Sequence, residues 1–228
     1  MKELTDKYKL LLKKFKTREN GPAVESMNRM GLKYHRNFGI ALAELKSFAN
    51  NPEFTNDPEF ALSLWQKSSR EAKILSLMMV DPEKLSKEQI DDYVSGINNV
   101  ELAEQAALNL LCKIPNHLIY ALDWCKGEET YTKLTGLLVL SRIAMVDKDI
   151  SDTEFEKFIN ILPKVAEENN FHIKRGLSRA LLQIAKRNDK LKQTVLKFTK
   201  QVNSYNKDMA SWLHEEVDYY LIENKKTD

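Results

Sequence analysis

The 228 residues, 43% hydrophobic and 30% charged with only 7 Gly and 6 Pro, exclude collagen-like, low-complexity and disordered chains and fit one domain or two tightly joined ones. The apolar stretch from Leu137 to Leu140 stops at Ser141 and Arg142, whereas a bilayer crossing needs about 20 apolar residues in a row. Lys2, Glu3, Asp6 and Lys7 precede no apolar block with a small-residue cleavage site, so a cytoplasmic protein with no membrane partner is the expectation. With 35 basic and 33 acidic residues the net charge of +2 carries no message, and any partner must show in how charge is distributed along the chain.

Apolar residues recur at helical spacing from end to end, and strict alternation nowhere joins hairpin turn chemistry, so the chain reads as all-α. In chain order the pattern predicts helices over 3–16, 22–29, 38–49, 58–67, 70–79, 87–97, 99–114, 117–126, 130–146, 152–168, 171–187, 189–202 and 206–224. Starts are marked by Asp57 before Pro58, by Ser86 with Gln89 three residues on, by Asn116 after Pro115, and by Ser151 with Glu154 three residues on. Each places a side-chain acceptor before an apolar run, where it satisfies N–H groups that a first helical turn leaves without partners.

An aliphatic residue followed by a small polar one recurs inside apolar helices at Leu75-Ser76, Leu108-Asn109, Leu140-Ser141 and Leu182-Gln183, at intervals of 33, 32 and 42 residues. Repeats of about 33 to 47 residues are the signature of stacked helix pairs, each burying its apolar face on its neighbours. The expected architecture is a single HEAT-like repeat domain over 1–228, a curved α-superhelix (α-solenoid) of antiparallel helix pairs. A basic N-terminal helix, 1–20, packs on or flanks the repeats; an irregular helical bundle is the alternative. Trp65, Trp124 and Trp212 have aliphatic neighbours and read as core. Cys112 and Cys125, in apolar surroundings without Cys-x-x-Cys spacing, read as reduced core thiols.

Charge is unevenly spread. Residues 171–200 hold nine cations (Lys174, Arg175, Arg179, Lys186, Arg187, Lys190, Lys192, Lys197 and Lys200) against the single acid Asp189. Helical spacing sets Arg175, Arg179 and Lys186 or Arg187 near one face, and a polyanion is the natural counterpart of such a row. The first 20 residues hold seven cations against three acids, and Lys33, His35 and Arg36 follow, whereas residues 81–104 hold seven acids against two lysines. A lone run of charge is commonly just a solvated face; this density points to a nucleic-acid footprint.

Few motifs carry chemistry. Asp147-Lys148-Asp149-Ile150-Ser151-Asp152 begins like a calcium loop, but Asp152 stands where Gly is required and Phe158 where the twelfth-position Glu belongs. His214-Glu215-Glu216-Val217-Asp218 lacks the second histidine of a zinc-protease helix. Neither metal nor cofactor is expected. Glu101 and Glu104 form a carboxylate pair, three apart at the start of an otherwise apolar helix, where acids also complement the helix dipole without any chemistry.

The segments Asn37-Phe38-Gly39-Ile40 with Leu45-Lys46, Leu64-Trp65 with Arg70-Glu71 and Ile74-Leu75, and Leu102 through Leu111 together resemble the DNA alkylation repair proteins of HEAT-like repeat architecture, from about Met27 to Asn188. The resemblance implies a superhelix that holds duplex DNA in a basic concave face and, in active members, a glycosylase that releases N3- or N7-alkylated purines. Active relatives carry a Trp-Asp-x-x-Asp pattern that here reads Val100-Glu101-Leu102-Ala103-Glu104. The catalytic carboxylate position thus falls on Glu104 and the aromatic one on Val100. A backbone-gripping arginine falls near Thr135 or Gly136, and a second cleft tryptophan on Arg179. An alkylated purine already bears positive charge and leaves readily, so one carboxylate suffices to stabilise the sugar cation and place a water.

Three functions follow from these residues. The first is a monomeric binder of double-stranded DNA, damaged or branched, that grips phosphates with Lys174, Arg175, Arg179, Lys186 and Arg187, with Lys33 and Arg36 as a second anchor, and whose glycosylase site has diverged. The second is a working alkylpurine glycosylase using Glu104, with Glu101 beside it. The third is a protein-binding helical scaffold for an acidic partner.

Overall fold

The computed structural model describes residues 2–55 and 57–223. Among them every regular element is helical, and the β-type contacts amount to one isolated bridge between Arg36 and Ser69. The chain falls into two compact units, Met1–Pro115 and Asn116–Asp228. The first contains α1 (Lys2–Lys16), α2 (Gly21–Arg29), α3 (Leu42–Ala49), α4 (Pro52–Thr55), α5 (Pro58–Trp65), α6 (Arg70–Met79), α7 (Lys87–Ser95) and α8 (Val100–Ala106), which runs on into a π turn at Ala107–Leu111. The second contains α9 (His117–Lys126), α10 (Thr130–Val146), α11 (Asp152–Ile159), α12 (Leu162–Val165), α13 (Phe171–Ala185), α14 (Asp189–Val202), α15 (Lys207–Leu213) and α16 (Tyr219–Glu223), with a π turn at His214–Asp218. No helix of the described residues is long and apolar enough to cross a membrane.

Local chemistry explains most boundaries. Asp57 accepts from the Phe60 N–H at 2.9 Å with Pro58 opening α5, and Ser86 and Gln89 bond reciprocally in a capping box at α7. Ser151 forms no such bond: Glu154, its expected partner, pairs with Lys157 at 2.6 Å instead. Asn116 takes a left-handed conformation, φ 58°, which Asn tolerates better than most residues, and does not cap α9 with its side chain. The helix expected over 152–168 is broken. Pro163 has no N–H to offer the Ile159 carbonyl and its ring crowds that oxygen, so α11 stops at Ile159 and the chain restarts as α12. The helix expected over 38–49 begins only at Leu42, because Phe38 to Ile40 is held outside it by side chains of α6.

Packing follows from the apolar stripes. In the first unit Leu11 and Phe15 of α1 are fully buried, with Phe15 against Phe38 and Phe48 at ring centroid separations of 5.4 and 5.6 Å. Part of the basic character of this N-terminal segment is neutralised at its contacts, through Lys7–Asp57 at 2.9 Å and Lys14–Glu53 at 2.6 Å on α1 and Arg18–Glu44 at 2.5 Å just after it. In the second unit α10 is buried without interruption from Leu134 to Leu140, between α9 and α13. Trp65 and Trp124 are buried as expected, while Trp212 is half-buried; Cys112 and Cys125 are buried thiols outside any disulfide.

A buried charge cluster ties the first unit together. Arg70, 1% exposed, donates from Nε and Nη2 to Glu101 at 2.8 and 2.6 Å, and from Nη1 to the Ile40 carbonyl at 2.8 Å and Glu71 at 3.2 Å. Glu71 in turn accepts from the N–H groups of Phe38 and Ile40. The Tyr34 hydroxyl donates to Glu101 at 2.6 Å. Burial, then the neighbouring Glu101 charge, pushes the Tyr34 hydroxyl pKa far up, so it stays a donor. Burial alone would lower the Arg70 pKa, but Glu101 and Glu71 together raise it.

Removing one partner of a buried, hydrogen-bonded pair costs about 3–5 kcal/mol. Glu101→Ala is therefore expected to lower the thermal midpoint by roughly 6–20 °C for a chain of this size, and a shift within error on a melting curve would refute the clasp. At Gly136 an added Cβ would lie 2.7 Å from Cys125 Sγ and 2.8 Å from the Ala121 carbonyl oxygen. Gly136→Ala, which in a solvated helix gains about 1 kcal/mol of propensity, is expected here to lose about 1–3 kcal/mol; an unchanged or raised denaturation midpoint would contradict this contact.

Candidate nucleic-acid interface

The main cationic surface lies in the second unit and is built by α13. Asn170 caps this helix by accepting from the N–H groups of His172 and Ile173 at 2.9 and 3.4 Å. Ile173, Leu177, Ala180, Leu181 and Ile184 form its buried stripe. At about 100° and 1.5 Å per residue, the opposite side carries Phe171, Arg175, Arg179 and Lys186 within roughly 80° of one another, along about 22 Å. All four are exposed. The Arg175 guanidinium lies 5.8 Å from the Phe171 ring centroid and the Lys186 ammonium 4.7 Å from that of Tyr220.

Two of the five cations expected on this surface are turned inward. Lys174 sits one residue off the ridge, is 9% exposed, and pairs with Asp208 at 2.5 Å. Arg187 donates to the carbonyls of Ala144 (3.1 Å), Asp147 (2.5 Å) and Ile150 (2.8 Å) and covers the Phe155 ring at 4.6 Å. It thereby closes the end of α10 and the turn after it. This turn is the segment whose sequence begins like a calcium loop, and a guanidinium binds the carbonyls there. In the first unit Lys33 is exposed and Arg36 is half-buried, stacked 4.7 Å over Phe38. Arg142 escaped the sequence reasoning: it is half-buried on α10, beside Ser141, whose hydroxyl donates to the Arg179 carbonyl at 3.4 Å. A single arginine ending the wholly apolar run of α10 was the signal for it.

The two candidate carboxylates part company on α8. Glu101 faces inward and is held by Arg70 and Tyr34, so it is a structural acid. Glu104 is half-exposed one turn later, just before the π turn, with the half-buried Val100 preceding it. Thr135 is fully buried with its hydroxyl bonded to the Tyr131 carbonyl at 2.7 Å, and Gly136 is closed against α9. Among the described residues no group of three or more His, Cys, Asp or Glu converges as metal ligands. His214 lies 3.8 Å from Asp218, which is buried and accepts from the Thr199 hydroxyl at 2.7 Å.

Comparison with known proteins agrees with this architecture. Residues 11–216 match the family model for DNA alkylation repair enzyme. An uncharacterized protein of Listeria innocua serovar 6a is 24% identical over 110 residues, 46% of this chain and 47% of that protein. The chain thus spans about half the length of the curated relative it matches. A solved structure with a TM-score of 0.75 and 15% identity, covering 85% of this chain and 82% of its own, is described as a new family of proteins related to the HEAT-like repeat DNA glycosylases with affinity for branched DNA structures. The stacked helices of this chain are accordingly a HEAT-like repeat fold, and the chain belongs to the DNA alkylation repair enzyme family.

Proposed function

We propose that the protein binds double-stranded DNA, damaged or branched, through its phosphate backbone, with Arg175, Arg179 and Lys186 as the central contacts and Lys33 and Arg36 as a second anchor. The observation that carries this reading is the alignment of exposed cations along one side of α13. A cation placed on a phosphate releases a condensed counterion, and several in a row give affinity without sequence preference. The affinity for branched DNA described for the structural neighbour supports the same ligand class. Lys174 and Arg187 drop out as phosphate contacts, since both hold the fold.

On the same reading base excision is weak or absent. Glu104 carries the carboxylate one methylene farther out than the aspartate the family pattern calls for, and displacement of a catalytic group by an ångström costs orders of magnitude in rate. Val100 offers no aromatic face to hold a cationic base. The enzyme alternative rests on one observation, that Glu104 is a half-exposed carboxylate on α8.

Replacing Arg175 and Arg179 by alanine is expected to weaken duplex binding roughly tenfold and to reduce the slope of log affinity against log salt by about 2, equally for all sequences. Arg187→Ala, by contrast, should leave that slope unchanged while costing about 2 kcal/mol of stability, because three carbonyls lose their donor. Anisotropy titrations at several salt concentrations, with melting curves on the same samples, decide the matter; unchanged affinity in the double variant removes the proposal. In a single-turnover assay on duplex containing N7-methylguanine, wild type is expected to release no base above background. Release that Glu104→Gln abolishes, with binding intact, would establish the glycosylase instead.

A further inference from the structure

The α13 ridge holds more than cations. At one end Phe171 is 55% exposed, packed edge-on against Trp212 at 5.7 Å and 79°, with Arg175 over its ring. At the other Tyr220 is 42% exposed beneath Lys186, and its neighbours Tyr219 and Ile222 are 58% and 56% exposed. Arg179 stands between the two ends. A phosphate grip on continuous duplex has no use for exposed rings, because the faces of paired bases are stacked on one another inside the helix. Unpaired bases present those faces, and an aromatic ring with a cation against it is the surface they stack on, while the phosphate beside each base meets the cation.

We propose that Phe171 and Tyr220 are stacking platforms for unpaired bases, so that the ridge binds duplex DNA with single-stranded nucleotides at a branch point in preference to uninterrupted duplex. This inference rests on the DNA-binding reading above and adds the feature of the DNA that is recognised, its unpaired bases, and the residues that select it. Backbone contact by Arg175, Arg179 and Lys186 provides affinity common to both forms. The two rings add affinity only where bases are free, and their places at the two ends of the ridge, Phe171 in the first turn of α13 and Tyr220 beneath Lys186 just past its last, let them hold separate nucleotides on one strand or on two arms.

The test uses the full chain and two probes of equal duplex length, one continuous and one carrying a short single-stranded thymidine flap. Wild type is expected to bind the flap at least about tenfold more tightly at a salt concentration where duplex binding is still measurable, since stacking of each base adds on that order. The Phe171→Leu, Tyr220→Leu double variant keeps the apolar volume but removes the π faces. It is expected to lose that preference while keeping the affinity and salt slope of wild type for continuous duplex. Equal binding of both probes by wild type, or full preference in the double variant, overturns the platform while leaving the phosphate grip standing; binding of neither probe overturns both. Photocrosslinking of wild type to 5-iodouracil in the flap gives an answer independent of any variant. Adducts mapped by mass spectrometry to Phe171 or Tyr220 support the platform, and adducts confined to other residues refute it.

Discussion

A guanidinium enclosed between two carboxylates holds the first unit in one arrangement. Arg70 is shared between Glu71 and Glu101, whose oxygens also accept from the N–H groups of Phe38 and Ile40 and from the Tyr34 hydroxyl. One Glu71 oxygen, Oε2, is buried without a hydrogen-bond partner. Buried ion pairs add little net stability over apolar packing of the same volume, but a half-broken one is very costly, and this penalises every alternative packing. The cluster fixes the extended segment after Gly39, the start of α6 and the start of α8 against one another. The placement of the start of α8 is thus set by Arg70, 31 positions before Glu101 in the chain.

The second unit solves a different problem, how to present like charges without destabilising the helix that bears them. α13 buries an aliphatic stripe against α10 and α14, and its cations lie on the far side, where repulsion is screened by water and salt. Aromatic rings under Arg175 and Lys186 offset part of that repulsion, since a ring face attracts a cation without neutralising it. Arg175, Arg179 and Lys186 therefore stay exposed on that side of the helix.

Much of this was legible in the residues. The predicted bounds of α6, α9, α10 and α14 coincide with those observed, because α6 and α14 open on capped, one-sided apolar patterns and α10 is an apolar run flanked by polar residues. Signals failed where a distant partner overrode local preference: the apolar pattern continues through Phe38 to Ile40, yet Glu71 claims their N–H groups. At Pro163 the apolar pattern runs on through the proline, so periodicity alone extends the helix past the break that the missing N–H imposes. In the site, helical spacing foretold that Arg175 and Arg179 share a side, and one residue of phase separates Lys186, which stays outside, from Arg187, which turns in. Glu101 and Glu104 looked alike because the arginine that distinguishes them belongs to α6. Lys174 looked like its neighbours because Asp208, thirty-four residues on, is close only in space.

Arg187 gives the turn after α10 a property that a bound metal ion would not. Its guanidinium is covalently part of the chain, so chelators and dilution leave it in place. The bonds it makes to three carbonyls are half-buried, where added electrolyte screens weakly. If the ridge binds phosphates as proposed, rising salt would empty it long before it loosened the turn beneath. On that reading a change in ionic conditions releases the ligand and leaves the fold intact, ready to bind again.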